Sequence, residues 1–328
     1  MERGRFVVTY REILNTRRVR RVGAGARRGA VSLVRYLLIL GISFVILYPL
    51  LVKITVSLMT EKDLMDLTVK WIPRTLTLEN YRVAIRALKI EDSLVNSLFY
   101  TVGITLIQLL SCTLAAYGFA RYRYPGSSLI LAILIFSLAV PPYTYSNAVY
   151  MEFRFFDPFG LITLLKGSEG IVNTMWPFII KAALCQGLRN GLYIFLMVQF
   201  FRNLPAELEE AANVDGAGMV KVFFRIICPN AVPIIVTVGV LSIVWQWNDS
   251  YFTAQLGPRM DFLATNVLNI QDLLRESTGV TDFMQQDTAR VSAAKNAAAM
   301  VMSFPIILFF AVIQKFFAEN LARSGIVG

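Results

Sequence analysis

Long apolar blocks, separated by short polar intervals, constrain the fold of this sequence more than any other feature. Of its 328 residues, 56% are hydrophobic and only 16% are charged, whereas soluble domains contain about 25% charged residues. Blocks of about twenty apolar residues have the length that a helix needs to cross the hydrocarbon core of a bilayer. We therefore predict an all-α integral membrane protein that is embedded in the lipid bilayer and has no separate soluble domain.

The apolar blocks predict six transmembrane helices. We place these spans at about residues 36–59, 96–119, 128–149, 181–201, 233–249 and 296–317. Pro141 and Pro142 interrupt the third span, because proline lacks the N–H group that a helix interior uses. The fourth block, at 171–201, is too long for one span, and we interpret 171–180 as an interfacial segment that leads into it.

The positive charge of the chain is concentrated at its N-terminus. Residues 1–35 contain ten arginines against two acids, and the net charge of the chain is +10. Arginine-rich segments beside spans stay in the cytoplasm, and Arg121 and Arg123 place the loop after the second span on that side. Topology and contact with anionic lipid account for the charge, so we predict no nucleic-acid partner. We divide the chain into a basic cytoplasmic extension, 1–35, and a six-span domain, 36–328, with both termini in the cytoplasm.

The sequence lacks the residues on which most enzymatic chemistry depends. It contains no histidine and only three cysteines, which lie in or beside apolar segments, so we expect neither a metal site nor a Cys–His pair. No GxxxxGK[ST] loop occurs, so the chain does not bind ATP by that route. The predicted spans contain no acid for sodium or proton coupling, and Asp249 only closes the fifth span. We predict a non-enzymatic chain without a cofactor of its own, driven by an outside source of energy.

The stretch 210–229 is a polar island between apolar blocks, and six spans place it in the cytoplasm, within the loop 202–229. Acids fill the first turn of its first helix, where they complement the helix dipole: Glu207, Glu209 and Glu210. Asp215-Gly216 predicts a turn, because glycine adopts the left-handed conformation that ends a helix. A second helix is predicted over 217–227, ending before Pro229. The product is a helix, a tight turn and a second helix displayed at the membrane surface.

This island resembles the EAA motif of ATP-binding-cassette importer permeases, whose pattern is EAA, three residues, G, nine residues and I-x-L-P. The residues in register are Glu210, Ala211, Ala212, Gly216, Ile226 and Pro229. Cys228 stands where the pattern has leucine, which is a conservative change in size. Further segments are similar to sugar-importer permeases of the maltose-transporter type, in the same order along the chain. They are Leu78–Tyr81, Asn96–Leu98, Ala115–Arg121, Tyr124–Gly126, Asn203–Ala212, Asp215–Ala217, Trp247–Asp249 and Gln314–Phe317.

The resemblance implies a type I importer permease fold and a coupling role for the EAA helix, which in that family docks into a cleft on the ATPase subunit. The residues it assigns to coupling are Glu210, Ala211, Ala212, Asp215 and Gly216. Small alanines permit insertion, the acid can pair with a basic partner, and the glycine sets the angle between the two helices. The competing interpretation of Glu210 is that it only caps a helix.

The resemblance also implies the partners and the location of the chain. They are a second, related permease subunit in a heterodimer, two ATPase subunits that bind Mg-ATP, and an extracytoplasmic solute-binding protein. The chain would form half of a translocation pathway for a sugar or oligosaccharide, as a multi-pass protein of the bacterial cytoplasmic membrane. Two alternatives stay open: the same machinery importing another polar solute, such as glycerol phosphate, and a channel or facilitator that works without ATP.

Polar and aromatic side chains inside the spans are the candidates for the substrate path. They are Gln108, Arg189, Asn190, Gln246, Trp247 and Asn248. Charged groups near mid-membrane are costly unless they face a wet cavity or partner helices, and an anionic sugar would account for Arg189. Trp245 or Trp247 could stack on sugar rings. Alternatively, the glutamines bind neighbouring helices and the tryptophans anchor at the membrane interface.

Overall fold

The computed structural model describes residues 3–166, 170–278 and 288–324. Within them, helices are joined by turns and loops, and one isolated antiparallel bridge links Met59 and Leu76. Its helices, numbered in chain order, are α1 (Arg3–Ser57), α2 (Glu61–Met65), α3 (Glu79–Ala87), α4 (Ile90–Arg121), α5 (Ser127–Phe136), α6 (Ser146–Arg154), α7 (Leu161–Lys166), α8 (Trp176–Ala183) and α9 (Asn190–Asn203). They continue with α10 (Glu207–Val214), α11 (Met219–Val222), α12 (Cys228–Asn230), α13 (Val232–Trp247), α14 (Tyr251–Leu256), α15 (Leu263–Leu268), α16 (Ile270–Thr278) and α17 (Thr288–Ser324).

Three of these helices are long and apolar enough to cross a membrane, judged within the described residues by length and composition. The three segments are Val31–Ser57 in α1, Ile90–Arg121, and Thr288–Lys315 in α17. A fourth candidate is a pair of segments bent by 76°, Met219–Asn230 and Val232–Trp247. These segments fall on the first, second, sixth and fifth predicted spans, in that order. The predicted third and fourth spans are both broken.

The third predicted span consists of two helices with an irregular middle. Short 3₁₀ turns at Ser137–Ala139 and Pro142–Thr144 separate α5 from α6. Pro141 is extended, with φ −61° and ψ 131°. The expected interruption at Pro141 and Pro142 is therefore present, and the missing N–H groups of the two prolines explain it.

The fourth predicted span is not a continuous helix, which corrects the sequence interpretation. α8 ends at Ala183 and α9 begins at Asn190, and both Cys185 and Arg189 between them have left-handed backbone, with φ 59° and 62°. The apolar pattern does not reveal this break, because nothing in it marks where the helical hydrogen bonds stop. Arg189 and Asn190 consequently lie at this break, at the start of α9, rather than inside a continuous helix.

α4 is the central helix, and it packs against α8, α9, α13 and α15. Its buried face carries hydroxyl side chains four residues apart, which places them on one side of the helix: Ser93, Ser97, Thr101 and Thr105. The hydroxyls of Thr105 and Ser242 in α13 lie 3.0 Å apart. Ser97 accepts a hydrogen bond of 2.8 Å from the backbone N–H of Leu263 in α15. Small hydroxyl side chains allow close approach between apolar helices and join them by hydrogen bonds.

Apolar clusters on three sides of α4 complete the core. One joins the C-terminal half of α4 to α9 and α13, with Tyr193 and Phe201 fully buried. Another joins α3, α15, α16 and α17, where small residues of α17 permit dense packing: Ala294, Ala297 and Ala298. The third contains Tyr100 with aromatic residues of α6, α8 and α14. α1 packs on α17 and leaves most of its apolar side chains exposed, as a helix that faces lipid or another subunit does.

Two glycines in central helices give a matched test of this packing. A Cβ atom added at Gly191 would lie 3.0 Å from the backbone oxygen of Leu134 and 3.0 Å from Leu138 Cδ2, whereas one added at Gly103 meets nothing within 4 Å. We expect Gly191→Ala to destabilise the protein by about 1–3 kcal/mol, because α5 and α9 must separate. Gly103→Ala should instead stabilise it by about 0.5–1 kcal/mol, because alanine is the better helix former.

Thermal unfolding of each variant in detergent measures this difference. An unfolding temperature of Gly191→Ala equal to or above that of the wild type would contradict the packing of α9 on α5. Gly103→Ala is the control for the effect of helix propensity alone.

Candidate functional site

The loop 202–229 forms the predicted helix, turn and second helix at the surface. α10 covers Glu207–Val214, and Gly216 has φ +75°, the left-handed conformation expected of the glycine in the turn. The second helix does not end before Pro229, which corrects that expectation. It begins at Met219, widens into a π-turn at Phe223–Ile227 and continues through α12. Pro229 lies at the first turn of α12, directly after this π-turn, and both π-turns and prolines are places where helices depart from regular bonding.

The first helix of this loop is fixed to α4 by an ion pair that sequence reasoning missed. Glu209 Oε1 lies 2.6 Å from Arg121 Nε, and both side chains are largely buried. Tyr117 donates a 3.1 Å hydrogen bond to the same carboxylate, and Arg121 also donates to the backbone oxygen of Leu204. The cluster of three acids in the sequence gave no sign of which one faces inward. A charged pair supported by two further hydrogen bonds in a partly buried site fixes its helix in place.

The predicted coupling residues are on the outer side of this anchored helix, with one exception. Glu210, Ala211, Asp215 and Gly216 are exposed, whereas Ala212 is buried against the cluster that contains Tyr117. Within the described residues, the Glu210 side chain makes no hydrogen bond or ion pair. Val214 beside it is 87% exposed. The loop therefore presents a small, partly apolar surface with three exposed carboxylates, those of Glu207, Glu210 and Asp215.

A polar network in the interior connects three of the residues predicted for the substrate path: Gln108, Asn190 and Gln246. All three are buried. Gln108 Nε2 donates to Asn190 Oδ1, and Gln246 Nε2 donates to Gln108 Oε1 at 3.2 Å. Ser242 Oγ donates to the same oxygen at 2.7 Å. These side chains join α4, α9 and α13 at one point inside the protein.

The break between α8 and α9 depends on donors from α4. Gln108 Nε2 donates to the backbone oxygen of Leu188 at 2.7 Å, and Ser111 Oγ donates to that of Ala182 at 2.6 Å. An interrupted helix leaves carbonyl groups without partners, and these are tolerated at membrane depth only where protein or a wet cavity satisfies them. Gly187 lies where a Cβ atom would be 3.0 Å from Gln108 Nε2, so a larger residue would push the donor away.

Asp249 extends this network at the end of α13. Its carboxylate accepts from the backbone N–H of Phe252 at 3.0 Å and from Tyr100 Oη at 3.3 Å. Tyr100 also bonds Gln246 Oε1 at 2.9 Å. Tyr100 and Asp249 were not among the predicted path residues, and the register of Tyr100 on the hydroxyl-bearing face of α4 is the signal that could have found it.

Two cavities open beside the broken helices. One has a volume of about 400 Å³ and is lined by residues of both breaks, including Tyr145, Glu152, Lys181 and Arg189. The other has a volume of about 120 Å³ and is lined by Tyr143, Arg189, Trp245, Asn248 and Tyr251, among others. Arg189 lines both cavities. Its guanidinium carbon lies 4.2 Å from the centre of the Trp245 ring.

Trp247 is separated from these cavities. It is buried in the apolar cluster of α17, and its indole N–H donates to the backbone oxygen of Met302 at 3.1 Å. Each residue of a helix is rotated by about 100° from the one before it, so Trp245 and Trp247, which are two residues apart, point to nearly opposite faces. The structure thus brings five of the six predicted residues to one region and assigns Trp247 to helix packing. The described residues contain no cluster of His, Cys, Asp and Glu that could hold a metal ion.

The geometry combines broken intramembrane helices, a polar interior and a rigidly anchored surface loop, which is the architecture of a membrane transport subunit. The family model of the binding-protein-dependent transport system inner membrane component matches residues 109–323. The chain belongs to this family and is an integral inner-membrane permease subunit of an ATP-binding-cassette importer rather than an enzyme. This family membership confirms the resemblance to importer permeases that the sequence motifs indicated. Members of the family work in general with an ATPase and a solute-binding protein.

Individual relatives match nearly the whole chain. The polygalacturonan/rhamnogalacturonan transport system permease protein YtcP of Bacillus subtilis is 27% identical, over 89% of this chain and 96% of its own length. The trehalose transport system permease protein SugB of Mycobacterium tuberculosis is 29% identical, over 93% of this chain and 100% of its own length. A solved bacterial ABC transporter involved in the import of the acidic polysaccharide alginate is 20% identical. It has a TM-score of 0.62 and covers 87% of this chain and 96% of the solved chain, which supports the fold.

The ion pair between Glu209 and Arg121 leads to a matched prediction. Glu209→Gln removes a charge whose side chain is only 17% exposed, whereas Glu210→Gln changes an exposed group without a contact among the described residues. We expect Glu209→Gln to weaken the local structure of α10 by about 1–2 kcal/mol, which corresponds to roughly a tenfold loss of amide protection. Glu210→Gln should leave protection unchanged.

Hydrogen exchange of the amides of α10, in the purified subunit in detergent, distinguishes the two variants. Equal protection in Glu209→Gln and the wild type would contradict the anchoring role of the ion pair.

Proposed function

We propose that this chain forms half of the translocation pathway of a carbohydrate importer, and that the loop 202–229 couples it to cytoplasmic ATPase subunits. The observation that carries the proposal is the orientation of α10. Glu209 turns inward and ties the helix to α4, while Glu210, Ala211 and Asp215 face outward at the motif positions of the family. Because α10 is fixed to α4 on one side and exposed on the other, a partner that displaces α10 would also displace the transmembrane helices.

The turn at Gly216 supports the same role. Its positive φ of 75° is a conformation that other residues adopt only with strain, so the angle between α10 and the second helix is fixed by this residue. Ala211 is exposed and small, which lets a groove on a partner close around the helix. Val214 adds an exposed apolar contact. The surface thus fits an ATPase cleft that offers a cation to Glu210 and apolar contacts to the rest.

The proposed topology has six spans with both termini in the cytoplasm. Arg121 at the end of α4 contacts Glu209 in the loop, so the C-terminal ends of α4 and α9 lie on one side of the membrane. Arginines near these ends and in residues 1–35 favour the cytoplasm for that side. The pairs α5–α6 and α8–α9 each supply one span in two halves. A second, related permease subunit would cover the face that the cavities open toward.

The proposed substrate path runs along the cavities beside Arg189, with Asn190, Gln108 and Gln246 behind it and Asn248 at its edge. Broken helices at the midplane are where transporters bind their substrates. Aromatic rings at the cavity suit the apolar faces of sugar rings. Permease relatives whose names specify saccharides support a sugar or oligosaccharide as the cargo. The membrane would be the bacterial cytoplasmic membrane, with two ATPase subunits inside and a solute-binding protein outside.

A charge reversal tests the coupling role. In the complete complex, we expect Glu210→Arg to lower ATP-driven sugar uptake by at least about tenfold, because a repelled cation replaces an ion pair at a docking surface. Glu61→Arg provides the control, since it makes the same change in the exposed first turn of α2. Uptake into proteoliposomes and retention of the ATPase during purification are the measurements. The thermal stability of the isolated permease should not change in either variant.

Normal uptake and normal retention of the ATPase by Glu210→Arg would reject the coupling assignment. Sugar flux through the purified chain alone, without ATP or partners, would instead support a channel or facilitator.

A further inference from the structure

We propose that the cavities beside Arg189 recognise the carboxylate of an acidic saccharide, with Arg189 as the residue that selects for the charge. This inference rests on the proposed carbohydrate transport and specifies the chemical class of its substrate. It starts from a charged side chain in the membrane interior that the described protein leaves without an ionic partner.

Arg189 makes no ion pair within the described residues, and its Nε is buried without a hydrogen-bond partner there. Arg121 differs in its charge pairing: its Nε also lacks a hydrogen-bond partner of good geometry, but the carboxylate of Glu209 lies 2.6 Å from it. A guanidinium at membrane depth is expensive unless it is paired or faces a functional cavity. Arg189 lines both cavities, so a ligand that enters either one reaches it.

The nearby acids do not supply the missing partner. Asp249 is buried and accepts hydrogen bonds from the Phe252 backbone and from Tyr100. Glu152 lines the larger cavity together with Lys181 and Arg189, and it makes no ion pair with either cation among the described residues. Neither acid pairs with Arg189, so the free donors of its guanidinium remain available for a ligand.

The backbone adds positive potential at the same point. α9 contains 14 residues and begins directly after Arg189, so the positive end of its dipole lies at this residue. The guanidinium lies against the Trp245 ring at 4.2 Å, which fixes its plane. A planar guanidinium with a fixed orientation matches the two oxygens of a carboxylate.

The surroundings favour a uronic acid over a phosphorylated sugar. Glu152 and Asp249 lie at the cavities, and they would repel the second negative charge of a phosphate more than they repel a single carboxylate. The partly exposed rings of Tyr143, Trp245 and Tyr251 offer surfaces for the apolar faces of sugars. A uronic acid combines the single carboxylate that the cavities tolerate with a sugar ring that can lie against these aromatic side chains.

The test uses the complete transporter, purified with its native partners and reconstituted in proteoliposomes. The probes are labelled trimers of glucuronic, galacturonic, mannuronic and guluronic acid, each compared with the neutral trimer obtained by reduction of its carboxyl groups. We expect ATP-driven uptake of at least one acidic trimer in preference to its neutral counterpart. Arg189→Gln should lower that uptake by about tenfold or more, because a charge-assisted bidentate contact is lost.

Two further variants keep the result interpretable. Arg189→Lys retains the charge and should keep more of the preference for the acidic trimer than Arg189→Gln does. Arg86→Gln, on the exposed side of α3, removes the same type of residue away from the cavities and should transport as the wild type does. Assembly of each variant with its partners is checked by size-exclusion chromatography.

Each other outcome overturns a stated part of the argument. Uptake of neutral trimers alone overturns the charge selectivity and leaves carbohydrate transport intact. Unchanged uptake of the acidic trimer by Arg189→Gln overturns the assignment to Arg189. Uptake of neither class by an assembled complex whose ATPase responds to a non-sugar solute overturns the proposed function and this inference together.

Discussion

An interrupted helix leaves backbone carbonyl groups inside an apolar environment. The structure depends on hydrogen-bond donors that reach these carbonyl groups. At the break between α8 and α9, Gln108 of α4 donates to the carbonyl of Leu188. Ser111 of α4 donates to that of Ala182, which also accepts a long bond of 3.4 Å from the Cys185 N–H. Water is scarce at this depth, so the donors must come from the protein. The central position of α4 follows, because the helix that supplies the donors must lie against the break along its length.

The same helix connects the two candidate functional regions. Gln108 is in the polar interior and Arg121 is at the end of α4 that holds the loop 202–229. They are separated by about 20 Å at the rise of an α-helix. A continuous helix between them transmits displacement as a rigid element. In the proposed mechanism, a force on α10 therefore reaches the break at Arg189 through α4.

The class of protein and the surface motif were predictable from the sequence, whereas the contacts in the interior of the protein were not. Pro141 and Pro142 mark an interruption by their chemistry, and the structure has one there. The interruption at 184–189 has no such mark: Gly187 is a weak helix former, but glycine is frequent inside transmembrane helices, and contacts with α4 stabilise the break. Likewise, Glu209 and Glu210 are the same residue type in the same acidic turn, so the sequence does not distinguish their roles. Only the angle at which α10 meets α4 decides that Glu209 pairs with Arg121 and Glu210 stays exposed.

The sequence by itself determined that the chain is a membrane protein, that it contains no GxxxxGK[ST] loop and that it carries the EAA motif spacing. These conclusions follow from the length of apolar blocks, from absent residue types and from local motif spacing. The tertiary structure alone decided that Gln108, Asn190 and Gln246 meet, that Trp247 packs away from them and that Arg189 begins a helix at two cavities. Those facts depend on how α4, α9 and α13 pack, since contacts between residues distant in the chain are not encoded in any local pattern.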